Sequence, residues 1–223
     1  MGSERLYIAI VSGVSLDGKI SPSREVSSKD IMLLPEGVQK YLHTLRSEFD
    51  AIAVGCNTVK RDNPLLTVRA VEGKNPVRVI PCTKADIPIN ANILQKDSKT
   101  LIATTRRAPR ENIQRLQSIG VEVIYAGEEK VDIRLLIEIL WKEGIRSLMV
   151  EGGARLNWEF IKFGLVDEIV LFHHPVVFGG CNAPTLVEGE GFTSLKNFPR
   201  YSLAKYTAIE GFLISHWKAL SKP

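Results

Sequence analysis

Apolar residues recur along the chain at two spacings, and the alternation between them predicts the architecture. Leu6 to Ser12 is an apolar stretch of strand type, followed by a polar, Gly/Ser-rich loop to about Lys29. Between Pro35 and Phe49, the residues Val38, Tyr41, Leu42, Leu45 and Phe49 fall on one helical face, and Pro35 suits a first turn. Asp50 to Gly55, Val77 to Pro81 and Leu101 to Thr105 are short strands of buried type. Pro109 to Ile119 predicts a helix that ends at Gly120. Val121, Val123 and Tyr125 alternate as a strand. Asp132 caps a helix carrying Ile133, Leu136, Ile137, Leu140 and Trp141, stopped by Gly144. Ser147 to Val150 is a strand, Glu151 to Arg155 a tight turn, and Leu156 to Phe163 a helix. Ile169 to Phe172 and Tyr201 to Trp217 predict terminal strands, the second a hairpin turning near Glu210-Gly211. This order predicts an α/β fold: a central, mostly parallel sheet, helices on both faces, and antiparallel C-terminal strands. Ligands of such folds gather at the carboxyl ends of strands.

Composition narrows the function classes. No repeat, low-complexity tract or linker divides the 223 residues, so a single domain over 1–223 is expected. The net charge is +4, but apart from Arg106, Arg107 and Arg110 the basic residues are scattered. Aromatic residues make up 7% and do not interleave with Lys or Arg as a stacking platform for single strands requires. A nucleic-acid partner is therefore not expected. Neither is a membrane, since no apolar run has the length of a span. Cys56, Cys82 and Cys181 stand far apart with no CxxC or metal-type spacing. That predicts no metal site and a reducing cytoplasmic setting; Cys56 reads as a small buried hydrophobe, with a reactive thiol in the cofactor segment as the alternative.

Several short patterns bear on chemistry. Gly13 to Ile20, GVSLDGKI, matches a phosphate loop through Lys19, but Ile20 replaces the hydroxyl residue and no helix follows. A turn requiring Gly18 is the better reading. No GxGxxG occurs. Instead Glu151-Gly152-Gly153-Ala154-Arg155 joins a strand to a helix, and its glycines allow backbone N–H groups to approach a pyrophosphate. Asp50 to Arg69 gathers Gly55, Asn57, Thr58, the turn Asp62-Asn63-Pro64, and Arg69 in a short span that packing alone does not require. His173-His174-Pro175 reads as a strand end, having no second ligand cluster in range.

The segments SLDGKI (15–20), VGCNTVKRDNPLLTVR (54–69), LMVEGGARLNWEFIKFGLVDEIVLF (148–172) and FGG (178–180) resemble the reductase domain family of riboflavin biosynthesis. The resemblance runs over nearly the whole chain. It implies a dihydrofolate-reductase-like fold and NADPH-dependent reduction of a phosphoribosylaminopyrimidine. The stand-alone form is implied, because the His-x-Glu and Cys-x-x-Cys of an attached zinc deaminase are missing. Position by position, Gly13, Thr58, Asp62 and the Gly152-Gly153-Ala154-Arg155-Leu156 turn match the family's NADPH contacts. Arg46, Asn63, Leu66, Arg69 and Glu151 match substrate contacts, and Ser27 or Ser28 falls where a phosphate-binding serine is expected. Thr83 occupies the loop that touches cofactor in the family, although Pro81-Cys82-Thr83-Lys84 departs from the usual acidic pattern. A homodimer built through sheet edges is also implied.

The implied reaction delivers hydride to the ribose C1′ after the sugar ring opens to an imine, and a proton must reach the ring oxygen. Asp17, Lys19 and Glu151 are the candidate catalytic residues, and the sequence does not choose among them. Arg106 and Arg107 are candidates for a 2′-phosphate, which bears on NADPH against NADH. The alternatives are reduction of the deaminated pyrimidine, a pterin or folate reductase, and a non-catalytic nucleotide-binding protein on the same fold.

Overall fold

The structure, a computed structural model, describes residues 5–26, 33–194 and 197–220. Among them, nine strands and five α-helices form a mixed α/β fold in which most strand pairs are parallel. No helix among the described residues is long and apolar enough to cross a membrane. The chain divides into two compact units, one of residues 1–7 and 43–149 and one of residues 8–42 and 150–223.

In the first unit, β2 (Ala51–Ala53), β3 (Val77–Pro81), β4 (Thr100–Thr104), β5 (Glu122–Tyr125) and β6 (Ser147–Val150) follow the order β5-β4-β3-β2-β6. The central strands β2 and β4 are buried at every residue, which is why they read as continuous short runs rather than as alternations. β5 ends that order, and Tyr125 there is 45% exposed, so its alternation is only half used. The last turn of α1 (Glu36–Glu48) also belongs to this unit. The predicted stops act as expected. Gly120 (φ 82°) ends α3 (Arg110–Ser118), and Gly144 (φ 85°) follows α4 (Ile133–Lys142). Asp132 caps α4 by accepting the Arg134 N–H at 2.9 Å. One element departs from expectation: the turn after β2 is a seven-residue helix, α2 (Cys56–Asp62), ended by Asn63 in the left-handed conformation.

Arg78 is the polar centre of this unit. It lies on β3 with no exposed surface, and its guanidinium donates to the carbonyls of Leu65, Ile93 and Gln95 at 3.0–3.1 Å and to Asp97 Oδ1 at 2.5 Å. A buried guanidinium is tolerated only when its donors are met, and these bonds tie Leu65, in the loop after α2, to the segment 93–97.

In the second unit, β1 (Tyr7–Val14), β7 (Glu168–His173), β9 (Phe212–Ala219) and β8 (Tyr201–Ile209) follow the order β1-β7-β9-β8. β1 and β7 run parallel, and the C-terminal strands are antiparallel as predicted. Their hairpin turns at Glu210 (φ 48°) and Gly211 (φ 83°), the paired positive angles of a tight two-residue turn. α5 (Ala154–Ile161) begins two residues before the predicted Leu156, because the turn after β6 is shorter than its glycines suggested. Ala154, Arg155 and Leu156 therefore form its first turn.

Candidate active site

Within the first unit, two side chains from α1 and one from the segment after α2 meet on that segment. Arg46, in the last turn of α1, donates from Nη1 to the Thr67 carbonyl at 3.1 Å. Arg69 donates from Nη1 to Thr67 Oγ1 at 2.7 Å. His43, one turn before Arg46 and buried, accepts the N–H groups of both Arg69 (2.7 Å) and Ala70 (2.9 Å) at Nδ1. That nitrogen is consequently unprotonated, and the ring acts as a fixed acceptor. The two arginines expected to share a ligand are thus brought to one residue. His43 was not singled out by sequence, although its helical spacing to Arg46 is the signal that would have found it.

The neighbouring candidates have more local duties. Asp62 is buried and takes both Nε (2.9 Å) and Nη2 (3.1 Å) of Arg61. Asn63 Oδ1 and its carbonyl accept the backbone N–H and side-chain amide of Asn92 at 2.7 and 2.9 Å, tying α2 to the 3-10 turn Asn92–Leu94. Leu66 has φ 54° and is 2% exposed, so its side chain is buried in a left-handed turn of the backbone. Thr58 lies half-buried on α2. Thr83 is exposed, while its carbonyl accepts the hydroxyls of Thr104 and Thr105, both at 3.0 Å. Arg106 and Arg107 are ion-paired on the surface with Glu128 (3.0 Å) and Glu129 (2.7 Å).

Cys56 and Cys82 form a disulfide, with Asp86 beside them, so Cys56 is not a small buried hydrophobe standing alone. Their meeting depends on strand register, which spacing along the chain does not display.

Within the second unit, Gly13 lies inside β1, paired in register with Phe172. Ser15 to Lys19 is a closed turn: Ser15 N–H donates to the Lys19 carbonyl (2.9 Å), Lys19 N–H to Ser15 Oγ (3.0 Å), and Gly18 has φ 76°. Asp17 Oδ1 accepts from the Ser15 hydroxyl (2.6 Å) and Phe178 N–H (3.0 Å), and Oδ2 accepts Gly179 N–H (2.8 Å). The Ser15 hydroxyl, followed by the Phe178 amide, holds the Asp17 carboxyl down at about 2. A group so acidic carries no proton to give at neutral pH. Ser27 and Ser28 lie outside the described residues.

Glu151 follows β6, and Gly152-Gly153 then precede α5 through a cis peptide bond. Gly152 adopts φ 96°, which L side chains avoid, and this accounts for the glycine. Gly153 is the N-cap residue of α5, in an extended conformation. Asn157 is fully buried, donates Nδ2 to the Leu186 carbonyl at 2.8 Å, and leaves Oδ1 without a partner. That oxygen lies 3.7 Å from where a Gly152 Cβ would stand. An unmatched buried acceptor beside glycine backbone at the start of a helix fits a ligand that brings both a hydrogen-bond donor and an anionic group. A nicotinamide dinucleotide has both. His173 ends β7 and His174 follows it, and burial lowers the pKa of each. His173 Nε2 meets Ser215 Oγ at 2.9 Å, and His174 stacks edge-on against Phe212.

Comparison with known proteins adds the following. The RibD C-terminal domain profile matches residues 6–213. The chain is 51% identical over 221 residues to the 2,5-diamino-6-ribosylamino-4(3H)-pyrimidinone 5′-phosphate reductase of Aquifex aeolicus, covering 98% of this chain and 99% of that one. It is 39% identical to the reductase of the same name from Archaeoglobus fulgidus, covering 84% and 89%. RibD of Acinetobacter baumannii has the same fold, with a TM-score of 0.80 at 21% identity over 98% of this chain and 59% of that one.

Proposed function

Because the chain belongs to the RibD C-terminal domain family, we propose that it reduces 2,5-diamino-6-ribosylamino-4(3H)-pyrimidinone 5′-phosphate to the ribitylamino product, with NADPH as cofactor. The two relatives that carry this reductase name match it along 99% and 89% of their own length. We read residues 1–223 accordingly as one domain of that family.

The observation that carries the substrate class is the placement of Arg46 and Arg69 on Thr67. Paired guanidinium groups suit a phosphate monoester, which they bind through several charge-assisted hydrogen bonds. A folate or pterin offers no such group. His43 holds the backbone under Arg69 and so orients it. Thr58, Asp62 and Thr83 in the first unit, and Gly13 and the Gly152–Leu156 turn in the second, are the residues assigned to the cofactor, which supplies hydride. The Asn157 carbonyl oxygen joins them as an acceptor. Glu151, next to the glycine turn, is assigned to substrate.

Asp17 is assigned to shaping the Phe178–Gly179 backbone and not to proton transfer, since its carboxylate is ionised and occupied. Lys19 and Glu151 remain the side chains offered for protonating the ring oxygen. Arg106 and Arg107 already face acidic partners, so a preference for NADPH over NADH is assigned to no residue. The homodimer reading is supported by β8, the end strand of its unit, where Leu203 and Tyr206 are 48% and 69% exposed. Sedimentation velocity tests it.

The test of function is cofactor oxidation followed by absorbance, with the diamino substrate and its deaminated counterpart side by side and NADPH compared with NADH. Turnover of the diamino compound with NADPH is expected. A folded protein inactive on both pyrimidines overturns the reading.

A further inference from the structure

The two cysteines that meet do so for a reason visible in the sheet. β2 and β3 pair in parallel with Ala53 opposite Val79, and three residues beyond that pair stand Cys56, at the start of α2, and Cys82, just past the end of β3. Their separation of 26 residues equals the register offset of the strands, so both leave the sheet at the same depth. The Cα atoms are 5.0 Å apart, within the span a disulfide bridges. The ring that the bond closes, residues 56–82, contains Thr58, Asp62, Asn63, Leu66 and Arg69, and Thr83 follows it directly.

Asp86 completes the group. Its Oδ1 lies 3.2 Å from Cys82 Sγ and 3.6 Å from Cys56 Sγ, while Oδ2 is ion-paired with Lys60 Nζ at 2.5 Å. In the dithiol form, Oδ1 is the acceptor for a thiol proton. Burial acts to raise the Asp86 carboxyl, but the Lys60 hydrogen bond and charge outweigh it and leave it below its usual value. The same three residues are also a conceivable metal group. The Lys60 ammonium on the carboxylate opposes a divalent cation there, and no fourth protein donor joins them among the described residues.

We propose that Cys56 and Cys82 are a reversible dithiol–disulfide pair that clamps the ligand-binding segment 56–82, so that its redox state sets the affinity for the nicotinamide cofactor. The cofactor half of this inference rests on the function proposed above. The oxidant is a low-molecular-weight disulfide such as oxidised glutathione. The more accessible Cys56 attacks it as the thiolate, forming a mixed disulfide and expelling one glutathione thiolate. Cys82, its proton lost to solvent, attacks the Cys56 sulfur as the thiolate and expels the second glutathione thiolate; the two released thiolates take up the two protons. The protein loses two electrons and two protons, and oxidised glutathione gains them as two reduced molecules. Closing the ring removes freedom from the segment before ligand arrives, so the disulfide form is the tighter binder.

The test uses the full chain carrying Cys181→Ser, which removes the exposed free cysteine. It is equilibrated in glutathione buffers, quenched with acid, alkylated and mapped by peptide mass. NADPH affinity is measured by fluorescence titration on the same samples. A Cys56–Cys82 linked peptide is expected, with NADPH bound about threefold or more weakly after reduction. Cys82→Ala should abolish that redox dependence, and the comparison of oxidised with reduced Cys181→Ser protein stands even if this variant folds poorly. Absence of the linked peptide, or equal affinity in both forms, overturns the clamp. Stoichiometric zinc in the reduced protein, lost in Cys82→Ala, overturns it in favour of a metal site. Failure of either form to bind NADPH overturns the function reading, and with it the cofactor half of the clamp.

Discussion

Arg46 and Arg69 converge on Thr67, one guanidinium donating to its carbonyl at 3.1 Å and the other to its hydroxyl at 2.7 Å. The two differ in their settings. Arg46 is 8% exposed at the end of α1, whereas Arg69 is exposed on the loop that His43 pins from below. Structural and ligand roles are therefore weighted differently between them.

Arg69→Ala is expected to weaken substrate binding by about 1.5–3 kcal/mol, the worth of a charge-assisted hydrogen bond, with little loss of stability. The measurement is KM for the pyrimidine substrate alongside a thermal melt. An unchanged KM removes Arg69 from the phosphate site. Restoring the charge with Lys should recover only part of the loss, because an ammonium lacks the fork geometry.

Thr58→Val keeps the shape of the side chain and removes its hydroxyl. NADPH affinity is expected to fall roughly fivefold, the equivalent of one hydrogen bond, with the substrate KM unchanged. An equal effect on both ligands would point to displacement of α2 instead.

Arg78→Met tests how the segment 63–66 is held. Removing a fully buried guanidinium strands the carbonyls of Leu65, Ile93 and Gln95 and leaves Asp97 without its partner. A loss of about 3 kcal/mol or more is expected in urea unfolding. A change below about 1 kcal/mol would mean that water replaces those bonds easily.

Asp17 makes acid stability sensitive to one carboxylate. Its pKa falls from 3.8 to about 2 on folding, chiefly through the Ser15 hydroxyl and then the Phe178 amide. Its ionised form thus stabilises the fold above pH 3.8, and that contribution is lost as pH drops through about 2. Asp17→Asn should lower the melting temperature at neutral pH and flatten its decline on acidification. Parallel declines in the two proteins would show that the carboxylate contributes nothing.

Much of this architecture is legible in the sequence because local rules agree with the fold. α4 carries its cap at Asp132, its apolar face and its Gly144 stop within thirteen consecutive residues, 132–144, and the structure follows all three. The hairpin at Glu210-Gly211 is equally local. What escapes the sequence depends on tertiary placement. Arg78 sits in the middle of an apolar strand, and only the surrounding carbonyls explain why it can be buried. Cys56 meets Cys82 through the offset of two parallel strands, a quantity no linear spacing reveals. His43 and Asn157 act through groups that are distant in sequence, namely Arg69 and Leu186. The α2 segment is too short for its periodicity to separate a helix from a turn.

In the proposed reaction, hydride passes from the nicotinamide to the ribose C1′ of the diamino substrate. The direct measurement is turnover with NADPH deuterated at the transferred position, followed by mass and NMR analysis of the product. One deuterium at C1′ of the ribityl chain is predicted. Product without deuterium at C1′, or label found on the pyrimidine ring, would contradict it.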